Sequence, residues 1–117
     1  MARLAKRGEF WIVNLEPAYG REIHKHRPAL IISNDNINQN TYRSIVVSSS
    51  SIMPVLPDPE IINLGKPKGF NEKSVLLPML VRSIDKDRLI KKIGKISKSK
   101  LQEVEESLKV VLGMVKL

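Results

Sequence analysis

Arg27-Pro28-Ala29-Leu30-Ile31-Ile32-Ser33-Asn34-Asp35 constrains the fold more than any other stretch of this chain. The Pro28 ring crowds the residue before it, which turns Arg27 away from helix and into an extended conformation. Leu30, Ile31 and Ile32 form an unbroken apolar run, the pattern of a strand covered on both faces. Ser33-Asn34-Asp35-Asn36 is turn chemistry, because short polar side chains bond their own backbone. The stretch therefore sets one permanently charged side chain at the mouth of a core strand. A guanidinium on a rigid element is a good anion ligand. It can equally form an ion pair with Glu9 or Glu22, an interaction that stabilises little at a surface.

Other short strands surround this one. Residues 8–15 (Gly-Glu-Phe-Trp-Ile-Val-Asn-Leu) are β-branched and aromatic and end before Pro17. Residues 18–26 read as a polar loop, 36–40 as an amide-rich loop without periodicity, and 44–50 as a third strand with a polar tail. Pro54, Pro57 and Pro59 make a long loop of residues 52–59, and residues 60–64 suit a short edge strand. Residues 74–78 and 80–84 are strand-like on either side of Pro78, which predicts a bulge, a bend or an edge there. Asp85 can cap a short helical turn, and residues 93–96 read as a last brief strand. One clear helix follows. Ser99 with Gln102 predicts its capping box, Glu103, Glu105 and Glu106 its acidic first turns, and Leu101, Val104, Leu108, Val111, Leu112 and Val115 its apolar face. Strands followed by a helix predict a single α+β domain over residues 1–117, a small, strongly bent antiparallel sheet or barrel with the helix packed on it.

Composition narrows the chemistry. There is no cysteine, hence no disulfide framework, thiolate nucleophile or cysteine-bound metal. His24 and His26 are the only histidines and lack the partners of a zinc site; Asp85 and Asp87 lack calcium-loop spacing. No metal or cofactor is expected. Glycine-rich phosphate loops and a nucleophile elbow around Ser48-Ser49-Ser50-Ser51 are missing too. Those serines read either as a solvated strand end or as hydroxyl donors to a phosphate. The basic start, Met1 to Arg7, has no apolar segment behind it, and no apolar run approaches the ~20 residues of a membrane span. A cytoplasmic protein without a membrane partner is expected.

The formal net charge is +8, and residues 86–100 hold seven Lys or Arg against one acid, Asp87. Such a surplus suits a polyanionic partner or simply a solvated basic face. With five aromatic residues in the chain, a single-stranded RNA ligand would rest on phosphate contacts and a few pockets more than on stacking.

Several segments, taken in order, resemble the MazF/PemK toxin family. These are residues 8–17 followed by Gly20-Arg21-Glu22, then residues 27–35, Gly69-Phe70, Ser74-Val75-Leu76, and Val81-Arg82-Ser83-Ile84-Asp85-Lys86 with Arg88-Leu89. The resemblance implies an SH3-like barrel with a C-terminal helix, acting as a homodimer whose groove cuts single-stranded mRNA at specific sequences. It also implies a cognate antitoxin with an acidic, partly disordered C-terminal segment that blocks the groove. The family's catalytic arginine falls on Arg27. Its catalytic threonine falls on Ser50, where serine keeps the hydroxyl but lacks the methyl that stiffens the rotamer. His24 or His26 is a candidate helper in proton transfer, and Arg21, Glu22, Lys25, Ser49, Ser51 and Arg82 are candidate RNA contacts. Loops 18–26 and 52–59 are expected to set the recognition sequence. A non-catalytic reading also stands: a gyrase-poisoning toxin of the CcdB-like type, or a nucleic-acid-binding barrel, shares this fold.

Overall fold

The structure, a computed structural model, describes residues 4–15, 26–52 and 60–115. Six strands form one sheet: β1 (Glu9–Asn14), β2 (His26–Ile31), β3 (Arg43–Ser50), β4 (Ile62–Gly65), β5 (Ser74–Asp85) and β6 (Leu89–Lys95). Their order is β4-β5-β3-β2-β1-β6, antiparallel throughout. The described residues also hold two α-helices, α1 (Asp35–Asn40) and α2 (Lys98–Val111), and a short 3-10 turn over Lys86–Arg88, where the sequence predicts a helical turn. The expected α+β architecture is present, with the sheet curled into a half-barrel. Among the described residues no helix is long and apolar enough to cross a membrane.

The central strand is covered on both faces, as its apolar run requires. Ala29, Leu30 and Ile31 have no solvent exposure. Ala29 and Ile31 join Trp11, Val13, Val46 and Ile84 on one side. Leu30 joins Phe10, Val47, Leu76 and Val104 on the other, the side closed by α2. Each such aliphatic side chain contributes about 1.5–3 kcal/mol by leaving water.

Curling comes from breaks in register. Val47 pairs with Val81, yet Ser49 pairs with Leu76, so two steps along β3 match five along β5. Pro78 lies in the surplus, as expected of a residue that cannot donate to the ladder. It does not end the strand, however: the two expected strands are one, β5. The far edges then approach each other. The turn after β4 runs against β6, so closely that a Cβ on Gly69 would stand 2.2 Å from the Ile93 carbonyl oxygen. Phe70, next in the chain, is buried with its ring edge-on to Phe10 at 5.0 Å.

Residues 36–40 are not a loop but belong to α1. Asn34 caps this helix by accepting from the Ile37 amide at 2.9 Å. Its inward residue is the fully buried Asn38, bonded to the Ser33 hydroxyl and carbonyl, to Asp35, and to the Ser44 hydroxyl at 2.9 Å. A helix anchored by polar groups has no apolar period to betray it.

Helix α2 begins two residues earlier than expected. Ser97, not Ser99, is the cap and accepts from the Lys100 amide. Capping at Ser97 puts Ile96 and Leu101 at the two positions of a hydrophobic staple, and both belong to the core cluster. A cap at Ser99 would have put Lys98 and Glu103 there. The shift leaves no acid in the first turn. The apolar face is also shorter: after Val111 the Met114 amide bonds the Lys109 carbonyl at 2.7 Å, closing the helix, and Leu112 and Val115 are exposed.

Glu9 is the most enclosed acid among the described residues. Its carboxylate accepts from the Lys6 amide at 2.8 Å and the Trp11 indole N–H at 3.0 Å, and it pairs with Lys92 at 2.9 Å. Burial pushes its pKa up, but these bonds and the Lys92 charge outweigh that and hold it below the ordinary 4.5. A carboxyl with a lowered folded pKa stabilises fully above its unfolded value, and that stability is lost as the pH falls through the folded one. Glu9→Gln is therefore expected to cost about 1–2 kcal/mol at neutral pH. The gap from wild type should narrow below pH 4.5. Urea denaturation at both pH values measures it; a gap that stays constant would contradict the role assigned to the charge.

Candidate active site

Strands β2 and β3 converge on the feature that opened the sequence. Ala29 pairs with Ser48 and Leu30 with Val47. The same register, continued two residues, sets Arg27 opposite Ser50. Ser49 supports that continuation, since its hydroxyl donates to the Pro28 carbonyl at 2.5 Å. Arg27, Ser50, Ser51 and His26 all line one cavity of about 260 Å³, whose far wall is the turn carrying Phe70, Asn71 and Glu72. Larger hollows of about 520 and 820 Å³ exist, but no arginine lines either of them.

The Nε of Arg27 is buried and has no hydrogen-bond partner. A buried donor left unmade costs roughly 1–3 kcal/mol, so such groups are rare outside binding sites. The ion pair with Glu9 does not form, because that carboxylate is occupied by Lys92, Trp11 and Lys6. Among the described residues no acid pairs with Arg27. The guanidinium is thus held at the cavity with hydrogen-bonding capacity to spare.

Ser50 is half-buried, and its hydroxyl oxygen accepts the Ile52 amide at 3.0 Å. That bond holds the side chain at the strand end, while the O–H donates to the Ile52 carbonyl at 3.3 Å, a long bond that a ligand could replace. The rotamer control that threonine's methyl would give is supplied here by the backbone.

The remaining candidates separate. Ser49 is 1% exposed with its hydroxyl committed to Pro28, a structural placement. Arg82 pairs with Val46, away from the cavity lining. His26 is exposed at the start of β2. Arg21, Glu22, His24 and Lys25 lie outside the described residues, as does most of the loop of residues 52–59. Asn71 and Glu72, which sequence reasoning missed, stand on the cavity wall. No group of three His, Cys, Asp or Glu that could hold a metal occurs among the described residues.

Fold and site together define a curled antiparallel sheet with an arginine and a serine hydroxyl lining one cavity at its rim. Residues 6–112 match the family of PemK-like, MazF-like toxins of type II toxin–antitoxin systems, and the chain belongs to that family. It is 32% identical over 117 residues to the endoribonuclease MazF9 of Mycobacterium tuberculosis, covering 95% of this chain and 98% of that one. Among solved structures it resembles MazF from Deinococcus radiodurans, with a TM-score of 0.82, 25% identity and coverage of 96% and 99%. A MazE–MazF complex from the same organism matches in fold, with a TM-score of 0.76, 24% identity and coverage of 97% and 99%.

Proposed function

We propose that this protein is a sequence-specific endoribonuclease that cuts single-stranded mRNA at the Arg27–Ser50 site. The observation that carries this reading is the buried Arg27 Nε without a partner, in a side chain that lines a cavity shared with the Ser50 hydroxyl. In the proposed reaction the ribose 2′-hydroxyl attacks the adjacent phosphorus in line, a P–O bond forms, and the bond to the 5′-oxygen breaks. The products are a 2′,3′-cyclic phosphate and a 5′-hydroxyl end. Arg27 binds the phosphoryl oxygens and offsets the charge that grows on them in the transition state. A guanidinium carries only N–H donors and no lone pair to accept a proton. His26, at the same cavity, is the candidate for moving the proton, an imidazole being suited to transfer near neutral pH. Ser50 donates to the same phosphate.

The protein is proposed to act as a homodimer without a metal, and to be neutralised by an acidic antitoxin segment. Complexes of an endoribonuclease with its cognate antitoxin, and of MazE with MazF, in proteins of the same fold support an antitoxin as a partner. The test is incubation of purified protein with a long single-stranded RNA in EDTA, with the 5′ ends of the fragments mapped. Cleavage at a recurring sequence is expected; no cleavage would return the non-catalytic reading. Ser50→Ala is expected to slow cleavage about 10- to 100-fold, the loss of one hydrogen bond to a charged group. Ser50→Thr should stay within a few-fold of wild type in the same assay, because the hydroxyl and its turn are kept. Equal losses for the two variants would remove Ser50 from the mechanism.

A further inference from the structure

We infer that Glu72, assisted by Asn71, reads a base beside the scissile phosphate and selects one bearing an amino group over uracil. The inference rests on the cleavage reading above and adds a specificity determinant to it.

The two residues lie far from Arg27 in sequence but share its cavity. Their turn is held from several sides. Gly69 is wedged against β6, the Phe70 amide donates to the Pro67 carbonyl at 3.0 Å, and the buried Phe70 ring anchors the middle. The Ser74 hydroxyl then donates to the Glu72 carbonyl oxygen at 3.1 Å. Side chains on so braced a turn are presented at a fixed place, as discrimination requires. Yet the side chains of Asn71 and Glu72 are exposed and make no hydrogen bond or ion pair among the described residues. This holds although Lys73 is adjacent and the protein carries a net charge of +8.

A carboxylate is the wrong group for a phosphate. Ionised, it only accepts hydrogen bonds, so beside an RNA backbone its complement must be an N–H donor. Such donors lie on base edges: the amino groups of adenine and cytosine, and the N1–H with the amino group of guanine. Uracil offers one N–H flanked by two carbonyl oxygens, which would face the carboxylate unfavourably. The amide of Asn71 supplies a donor and an acceptor for the ring nitrogen or carbonyl next to the amino group. A cavity of about 260 Å³ is smaller than a typical pocket for a drug-sized ligand and suits a single base rather than several.

The experiment uses short RNAs built on the mapped site, with A, C, G or U in turn at each position next to the cut. Wild type is expected to cut the best amino-bearing base about 10- to 100-fold faster (kcat/KM) than uracil at one of these positions. Glu72→Gln should bring that ratio to within a few-fold from both sides, slowing the amino-bearing substrate and speeding the uracil one, whose carbonyls no longer face a carboxylate. Asn71→Ala should lower the ratio less. An unchanged ratio in Glu72→Gln would overturn the inference, as would an equal slowing on all four substrates, which would make Glu72 a proton-transfer group. Failure of the cleavage reading looks different: no site would be mapped in the long RNA. In that case fluorescence anisotropy with short single-stranded A, C, G and U homopolymers decides, and equal binding of the uracil and the amino-bearing homopolymers by wild type would overturn the inference.

Discussion

Arg27→Ala is expected to slow RNA cleavage by about 10²–10³-fold, the loss seen when one preorganised donor to a developing negative charge is removed. Single-turnover cleavage of a labelled RNA measures it. The same change should leave folding stability equal to wild type or higher. In the folded protein the Arg27 Nε is buried without a partner, so the site holds an unfavourable desolvation that a shorter or apolar side chain relieves. A urea titration of Arg27→Leu is therefore expected to show a gain of up to about 1 kcal/mol, alongside the lost activity. Arg27→Lys separates charge from geometry. Lysine keeps the positive charge but not the planar fork that meets two phosphoryl oxygens at once, and at least a tenfold loss is expected. Wild-type cleavage by Arg27→Ala would end the assignment. Lost activity with equally lost stability would mean that Arg27 serves the fold instead.

The expected opposition between stability and activity has the same origin as the signal that makes Arg27 a candidate in the sequence. A cation placed by Pro28 at the mouth of an otherwise apolar strand breaks the local rule that core strands are apolar, and such violations concentrate at functional sites. The strand itself was legible because Ala29, Leu30 and Ile31 are covered on both faces, which leaves an unbroken apolar run. Helix α1 was not, because its anchor, Asn38, is satisfied by Ser33 and Ser44 on either side of the helix, and nothing in the residues 36–40 shows that those partners exist. The start of α2 is set by an apolar pair as well as by a polar cap, and the polar residues alone do not distinguish Ser97 from Ser99. The apolar pair Ile96 and Leu101 was in plain view and places the cap at Ser97. Asn71 and Glu72 lay beyond sequence reasoning for a different reason. They reach the cavity only because the sheet's edges meet, and that meeting depends on a backbone contact of Gly69, which leaves no compositional trace.

Gly69→Ala tests that contact directly. Gly69 has φ of +94°, where a Cβ is strained whatever surrounds it, and the added methyl would lie 2.2 Å from the Ile93 carbonyl oxygen, a backbone atom held in β6. Gly65 provides the internal control: its φ is +64°, but a Cβ there meets nothing within 4 Å. Gly65→Ala should therefore cost only the conformational strain, about 1 kcal/mol. Gly69→Ala adds the clash and is expected to cost roughly 3 kcal/mol or more, because β6 or the turn must move. Movement of the turn withdraws Phe70 from its edge-on contact with Phe10 and shifts the wall that carries Asn71 and Glu72. Cleavage measured where the variant is still folded should then lose base discrimination more than overall rate, since Arg27 and Ser50 are held by β2 and β3 on the opposite side. Urea denaturation of both variants gives the comparison. Should Gly69→Ala cost no more than Gly65→Ala, the half-barrel is not closed by this turn, and the placement of Glu72 beside Arg27 loses its structural basis.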